Sequence, residues 1–176
     1  MTSYVALLRG INVGRAKRVA MADLRALLAN LGYSGVRTLL NSGNALFCAE
    51  VGAPDVHADR IRQALVSELK VGAAVVVKSA DEFAAVVSEN PLLGLATDPS
   101  RLLVAFTQQP AALAGLAGLV GGDWSPEALA VGHGAAYLWC PNGVIDSRLV
   151  QAVSRELGDL ATTRNWSTVS ALAELL

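Results

Sequence analysis

Cysteine is nearly missing from this chain, with only Cys48 and Cys140 among 176 residues. A disulfide scaffold is excluded by that number. Histidine is equally scarce, and His57 and His133 form no C-x-x-C or H-x-x-x-H spacing, so no zinc site and no metal are expected. His57 falls at a helix start and His133 in a hairpin turn, neither suited to catalysis. Each cysteine closes an apolar run, ALFC or YLWC, and reads as a small buried hydrophobe at a strand end.

Long uninterrupted apolar runs are also lacking, although 53% of the residues are hydrophobic and the mean hydropathy is +0.43. Two windows carry no Asp, Glu, Lys or Arg: 102–122 and 128–145. Thr107-Gln108-Gln109-Pro110 breaks the first, while Gly132-His133-Gly134 and Pro141-Asn142-Gly143 break the second. A spanning helix needs about 20 apolar residues in one piece. Arg9 and the cations after it interrupt the apolar run near the amino terminus, so no signal peptide is expected. The expectation is a soluble cytoplasmic protein with no membrane partner, and nothing in the sequence sets its oligomeric state.

Signatures of known chemistries are absent as well. The loop after the first strand lacks the Gly-Lys-Ser/Thr ending of a P-loop, no Gly-x-Gly-x-x-Gly follows that strand, and no Gly-x-Ser-x-Gly occurs. Carboxylates such as Asp59, Glu68, Asp81, Glu82 and Glu89 are scattered over helical segments rather than clustered for metal-dependent phosphoryl transfer. No reaction, catalytic residue or cofactor is assigned, and general acid or base catalysis by one tuned side chain stays open.

What is present is an uneven charge distribution. The net charge of −1 argues against bulk nucleic-acid binding, yet residues 1–40 hold six cations (Arg9, Arg15, Lys17, Arg18, Arg25, Arg37) against Asp23. That is +5 there and −6 over the remainder. A local basic patch on an acidic chain suits a small anionic molecule better than a long polyanion. Its centre is YVALLRGINVGRAKR, residues 4–18: an apolar strand, then a basic Gly-x-x-x-Gly loop able to turn backbone N–H groups and cations toward an anion.

Periodicity orders the rest. Met21, Leu24, Leu27, Leu28 and Leu31 predict a helix stopped by Gly32; Val36–Leu40 and Ala45–Cys48 predict strands joined over Asn41-Ser42-Gly43-Asn44. Pro54 opens a second helix through Ile61, Leu65 and Leu69, closed by Gly72 before a strand over 73–77. This βαββαβ order is the ferredoxin-like unit, two helices on one face of a four-stranded antiparallel sheet. A capping box, Ser79 to Glu82, starts a connecting helix that ends at Asn90-Pro91.

The pattern then repeats. A strand over 102–106, a small-residue helix over 111–120, a hairpin of 129–131 with 135–140, a helix through Leu149, Val153 and Leu157, a strand over 161–163 and a terminal helix complete the chain. The fold expected is α+β: one compact protein with a ferredoxin-like subdomain in residues 1–78 and, in 79–176, the connecting helix, a second such subdomain and the C-terminal helix. The cysteines, each at the end of a third strand, are read as equivalent points of an internal duplication. Ser125-Pro126 beside a strand makes that strand an edge.

Several segments in this order, ALLRGINVG (6–14), MADL (21–24), VRTLLNSGNALF (36–47), Asn90-Pro91 and TTRNWSTV (162–169), identify a resemblance. Over nearly its full length the chain resembles the bacterial family known as domain of unknown function 1697. The resemblance implies paired ferredoxin-like subdomains with no established activity. It also implies three concentrations of polar motif residues: Arg9, Asn12 and Gly14; Ser42, Gly43 and Asn44; and Thr163, Arg164, Asn165 and Trp166. Arg15, Ala20 and Ser167 depart from the family pattern, which usually has glycine, proline and asparagine there; Arg15 bears on how tightly the loop can wrap a ligand.

From these come the candidate ligand-binding residues: Arg9, Asn12, Gly14, Lys17, Ser42, Asn44, Arg164 and Asn165. Structural roles stand beside them. Asn12 can cap a turn, Ser42-Gly43-Asn44 suits any hairpin, and Asn165 or Ser167 can cap a helix that Trp166 staples to the core. Arg9, at the end of a buried strand, needs a carboxylate or an anionic ligand. The leading expectation is a small anion, a phosphate ester or nucleotide, held between the basic Arg9–Arg18 loop and the Arg164-Asn165-Trp166 segment, with the Ser42-Gly43-Asn44 turn as a further wall. Alternatives are single-stranded nucleic acid on a sheet face offering Tyr4 and Phe47, and a protein-interaction scaffold.

Overall fold

Strand β1 (Thr2–Leu8) is apolar from Tyr4 onward, and every side chain from Tyr4 to Leu8 is buried. A strand buried on both faces belongs at the centre of a sheet. It pairs antiparallel with β3 (Asn44–Ala49) and β4 (Val75–Ser79), while β2 (Ser34–Leu39) adds outside β3, giving the order β2-β3-β1-β4. Helices α1 (Met21–Asn30) and α2 (Pro54–Leu69) set Leu24, Leu28, Ile61 and Leu65 against Tyr4, Ala6, Leu8, Phe47 and Val77. The computed structural model describes residues 1–176, which divide into two units: Met1–Phe83 with Glu174–Leu176, and Ala84–Ala173. The division falls inside α3 (Ala80–Ser88).

In the second unit β5 (Leu102–Thr107) is central, between β7 (Ala135–Trp139) and β8 (Ala161–Asn165), with β6 (Ala128–Val131) at the edge. The order β6-β7-β5-β8 repeats that of the first sheet, and its pairings are again antiparallel. Helix α4 (Arg148–Leu157) buries Leu149, Val153 and Leu157 against this sheet, and α5 (Trp166–Glu174) follows β8 directly. The protein is thus mixed α+β, with two four-stranded antiparallel sheets. No helix is long and apolar enough to cross a membrane.

Three sequence expectations need correction. The sequence over 111–120 predicts a helix, but Pro110–Leu116 is 3-10 and gives way to turns, because Gly115 and Gly118 weaken helical continuation and no side chain caps the start. Helix α2 ends on Lys70 in the left-handed conformation (φ 57°), its N–H returning to Leu65 O, rather than on Gly72. The cysteines are out of step: Cys48 pairs with Ser3 on the sheet face turned from α1 and α2, whereas Cys140 lies in the helix-side core. Period two explains this, since a shift of one residue reverses the face.

Tyr4 and Phe47 belong to the core. Their rings stack at 5.4 Å, Tyr33 stacks on Phe47 at 4.3 Å, and His57 meets all three edge-on or tilted. Both are about 1% exposed, so the aromatic platform that the nucleic-acid reading required is buried.

Candidate functional site

The loop after β1 is held in shape by Asn12, whose backbone is left-handed at φ 56°. Its Nδ2 donates to Val19 O (2.8 Å) and to Asn41 O (2.7 Å), and its Oδ1 accepts from Val19 N–H (2.9 Å). The Asn12 N–H binds Lys17 O at 3.0 Å. One side chain therefore closes residues 13–18 into a ring and ties that ring to the β2–β3 turn. Both of its N–H donors are engaged within the protein.

The turn is equally constrained. Asn44, fully buried, donates through Nδ2 to Leu39 O and Ser42 Oγ, each at 2.9 Å. Gly43 (φ +84°) gives its carbonyl to Leu8 N–H, and a Cβ there would stand 2.7 Å from Leu8 Cβ and 2.8 Å from Ile11 Cδ1. Only glycine fits between turn and loop. The sequence motif S-G-N thus holds the hairpin against the basic loop.

Beside this junction lies a cleft of about 400 Å³, lined by Asn12, Arg18, Val19, Ala20, Met21 and Asn41. The first turn of α1 faces no capping side chain from Ala20, the residue at its N-cap, although Asp23 supplies a carboxylate within that turn. Arg15, Lys17 and Arg18 are exposed, Gly14 is open and left-handed at φ +64°, and Lys17 is left-handed at φ 51°. Arg9 is half-buried at the end of β1, and its N–H binds Ala74 O. The lining offers the Arg18 guanidinium and the Asn41 amide but no carboxylate, imidazole or thiol. Those donors are of the kind that suits an anion, and the lining holds no side chain of the kind that transfers protons near neutral pH.

The candidates near the carboxyl end belong to the second unit. Arg164 lies on β8, about 9% exposed, donating from one terminal nitrogen to Thr162 Oγ1 (2.8 Å) and Thr163 O (2.9 Å). Burial lowers its pKa to about 10. Asn165 Oδ1 accepts from Thr168 N–H at 3.0 Å, so Asn165 caps α5. In the first unit, by contrast, the structure brings Asn12, Ser42 and Asn44 into one junction with the loop.

Two residues escaped the sequence reading. Arg18 was one loop cation among several, and only the fold sets it in the cleft. Lys78, about 3% exposed on β4, has its pKa lowered by burial, partly opposed by the Glu82 carboxylate. Its place in the sheet matches that of Arg164: Lys78 pairs with Val5 just before the cap Ser79, as Arg164 pairs with Val104 just before the cap Asn165.

A family described as "Protein of unknown function (DUF1697)" matches residues 1–137. Among solved structures, conserved bacterial protein SP0830 from Streptococcus pneumoniae is similar in fold, with a TM-score of 0.80 and 22% identity, covering 99% of this chain and 98% of its own. Protein BT0572 from Bacteroides thetaiotaomicron, at 12% identity over 96% of this chain and 94% of its own, gives a TM-score of 0.22 and carries no argument. No protein with a curated description matches the chain.

Proposed function

The chain belongs to the DUF1697 family, and from that premise we propose that it binds a small anion, a phosphate ester or nucleotide, at the basic loop of its first unit. The observation that carries this reading is the cleft in which Arg18 stands beside the Asn12-pinned loop and the start of α1. Arg15 and Lys17, exposed on the same loop, add positive potential at the mouth. Asp23, in the first turn of α1, offsets part of that field and so reduces what each added negative charge on a ligand would gain.

Each unit is taken as ferredoxin-like, which the shared strand order 2-3-1-4 supports, and the pair as an internal duplication. Supporting the duplication are the matched positions of Lys78 with Arg164 and of the caps Ser79 with Asn165. A cytoplasmic location is part of the reading and agrees with two free thiols, Cys48 and Cys140.

A thermal-shift screen of nucleotides, sugar phosphates and inorganic phosphate tests the binding. A true ligand at a hundred times its Kd adds about 2.7 kcal/mol of stability. Arg18→Ala should remove the shift. A screen in which nothing moves the melting temperature, or a shift that survives Arg18→Ala, refutes this site.

A further inference from the structure

Two large aliphatic side chains stand in solvent in the chain segments that border the same cleft. Val13 is 72% exposed and Leu40 is 60% exposed. Each is the chain neighbour of a lining residue, Asn12 or Asn41, and those two are joined by the 2.7 Å bond from Asn12 Nδ2 to Asn41 O. Solitary exposed aliphatics mean little. This pair is different because of its backbone and its surroundings.

Leu40 sits at φ 58°, in the left-handed region that branched and bulky residues avoid and that asparagine and glycine occupy at lower cost. The turn contains such residues one and three positions on, at Asn41 and Gly43. A leucine there is unfavourable twice, once for its backbone and once for its exposed side chain. At 60% exposure Leu40 recovers little of that cost from local packing, which points to a benefit in contact with something else. The cleft floor continues the same chemistry, since Val19, Ala20 and Met21 line it next to Arg18.

We infer that the anion taken by this site is carried on an apolar body: the ligand is an amphiphilic phosphate monoester, its charge at Arg18 and its apolar part along Met21, Val13 and Leu40. This rests on the anion-binding reading above and names the ligand class for it. A soluble alkyl phosphate and the headgroup of an anionic lipid share this chemistry, and Arg15 and Lys17 around the apolar pair suit either.

The experiment compares methyl, butyl and octyl phosphate, each kept monomeric, by calorimetric titration of the full chain. Affinity should rise by roughly twofold or more for each added methylene. In Leu40→Asn and Val13→Ser the chain-length gain should shrink while methyl phosphate binds as before. Leu40→Asn should fold at least as stably as the parent, because asparagine accepts the left-handed backbone.

Cosedimentation with phosphatidic acid vesicles, against phosphatidylcholine vesicles, identifies the source. Retention on the first that Leu40→Asn abolishes points to a lipid headgroup; chain-length-dependent binding without retention points to a soluble amphiphile. Methyl and octyl phosphate binding equally would overturn the inference and leave the anion site standing. Loss of methyl phosphate binding in Leu40→Asn would overturn it too. Failure of all three phosphates refutes the anion site itself.

Discussion

Tyr33 Oη lies 2.9 Å from His57 Nδ1 inside the first unit, and the other imidazole nitrogen, Nε2, is buried with no hydrogen-bond partner. Tyr4, Tyr33 and Phe47 surround the ring, and the Arg60 guanidinium stands 5.3 Å above Tyr33. A proton on this imidazole would be a poorly solvated charge facing another cation. Burial first, and Arg60 second, hold the His57 pKa below its ordinary value of 6.5.

The sign of the pH dependence follows. The unfolded chain takes up this proton below pH about 6.5 while the folded chain resists it. Stability is fully present above that pH and falls as pH drops through the lowered folded pKa. Urea melts followed by far-UV circular dichroism between pH 7.5 and 5 should show a decline that His57→Gln flattens. An unchanged slope in the variant would assign the decline to other groups.

Gly43 and Gly14 are both left-handed, yet their substitutions should differ. Gly43→Ala meets Leu8 Cβ at 2.7 Å as well as the backbone penalty, whereas Gly14→Ala meets nothing within 4 Å. Losses of about 3 kcal/mol and about 1 kcal/mol are expected, the difference being the steric clash. Chemical denaturation of the two variants measures it. Equal losses would mean that the turn does not press on β1.

Asn12→Ala removes three hydrogen bonds and leaves the N–H of buried Val19 without its acceptor. A loss of about 2–3 kcal/mol is expected, with faster amide exchange over residues 13–19. Asn12→Asp keeps the acceptor but sets oxygen against the carbonyls of Val19 and Asn41, so it should not rescue. Rescue by aspartate would show that only the Val19 N–H bond matters.

Element order was legible because Leu24, Leu28, Ile61 and Leu65 recur at helical spacing and the central strands are continuous apolar runs. The capping box could be read outright: Ser79 N–H reaches Glu82 Oε2 at 2.9 Å and Glu82 N–H reaches Ser79 Oγ at 3.2 Å. The faces of the sheets were harder to read. Strands buried on both sides carry no alternation, so the phase of Cys48 against Cys140, and the burial of Lys78 and Arg164, could not be inferred. In the site, the conformational role of S-G-N was readable from residue type. That Arg18 would line the cleft depends on where α1 begins after a loop closed by a single asparagine.

The central claim is an anion at Arg18 beside the start of α1. It is tested most directly by amide chemical shifts of the 15N-labelled protein titrated with phosphate. Residues 12–22 and Asn41 should move saturably, less strongly at higher ionic strength, and Arg18→Ala should abolish the movement. Shifts that do not saturate, that fall elsewhere in the chain, or that persist in Arg18→Ala would contradict it.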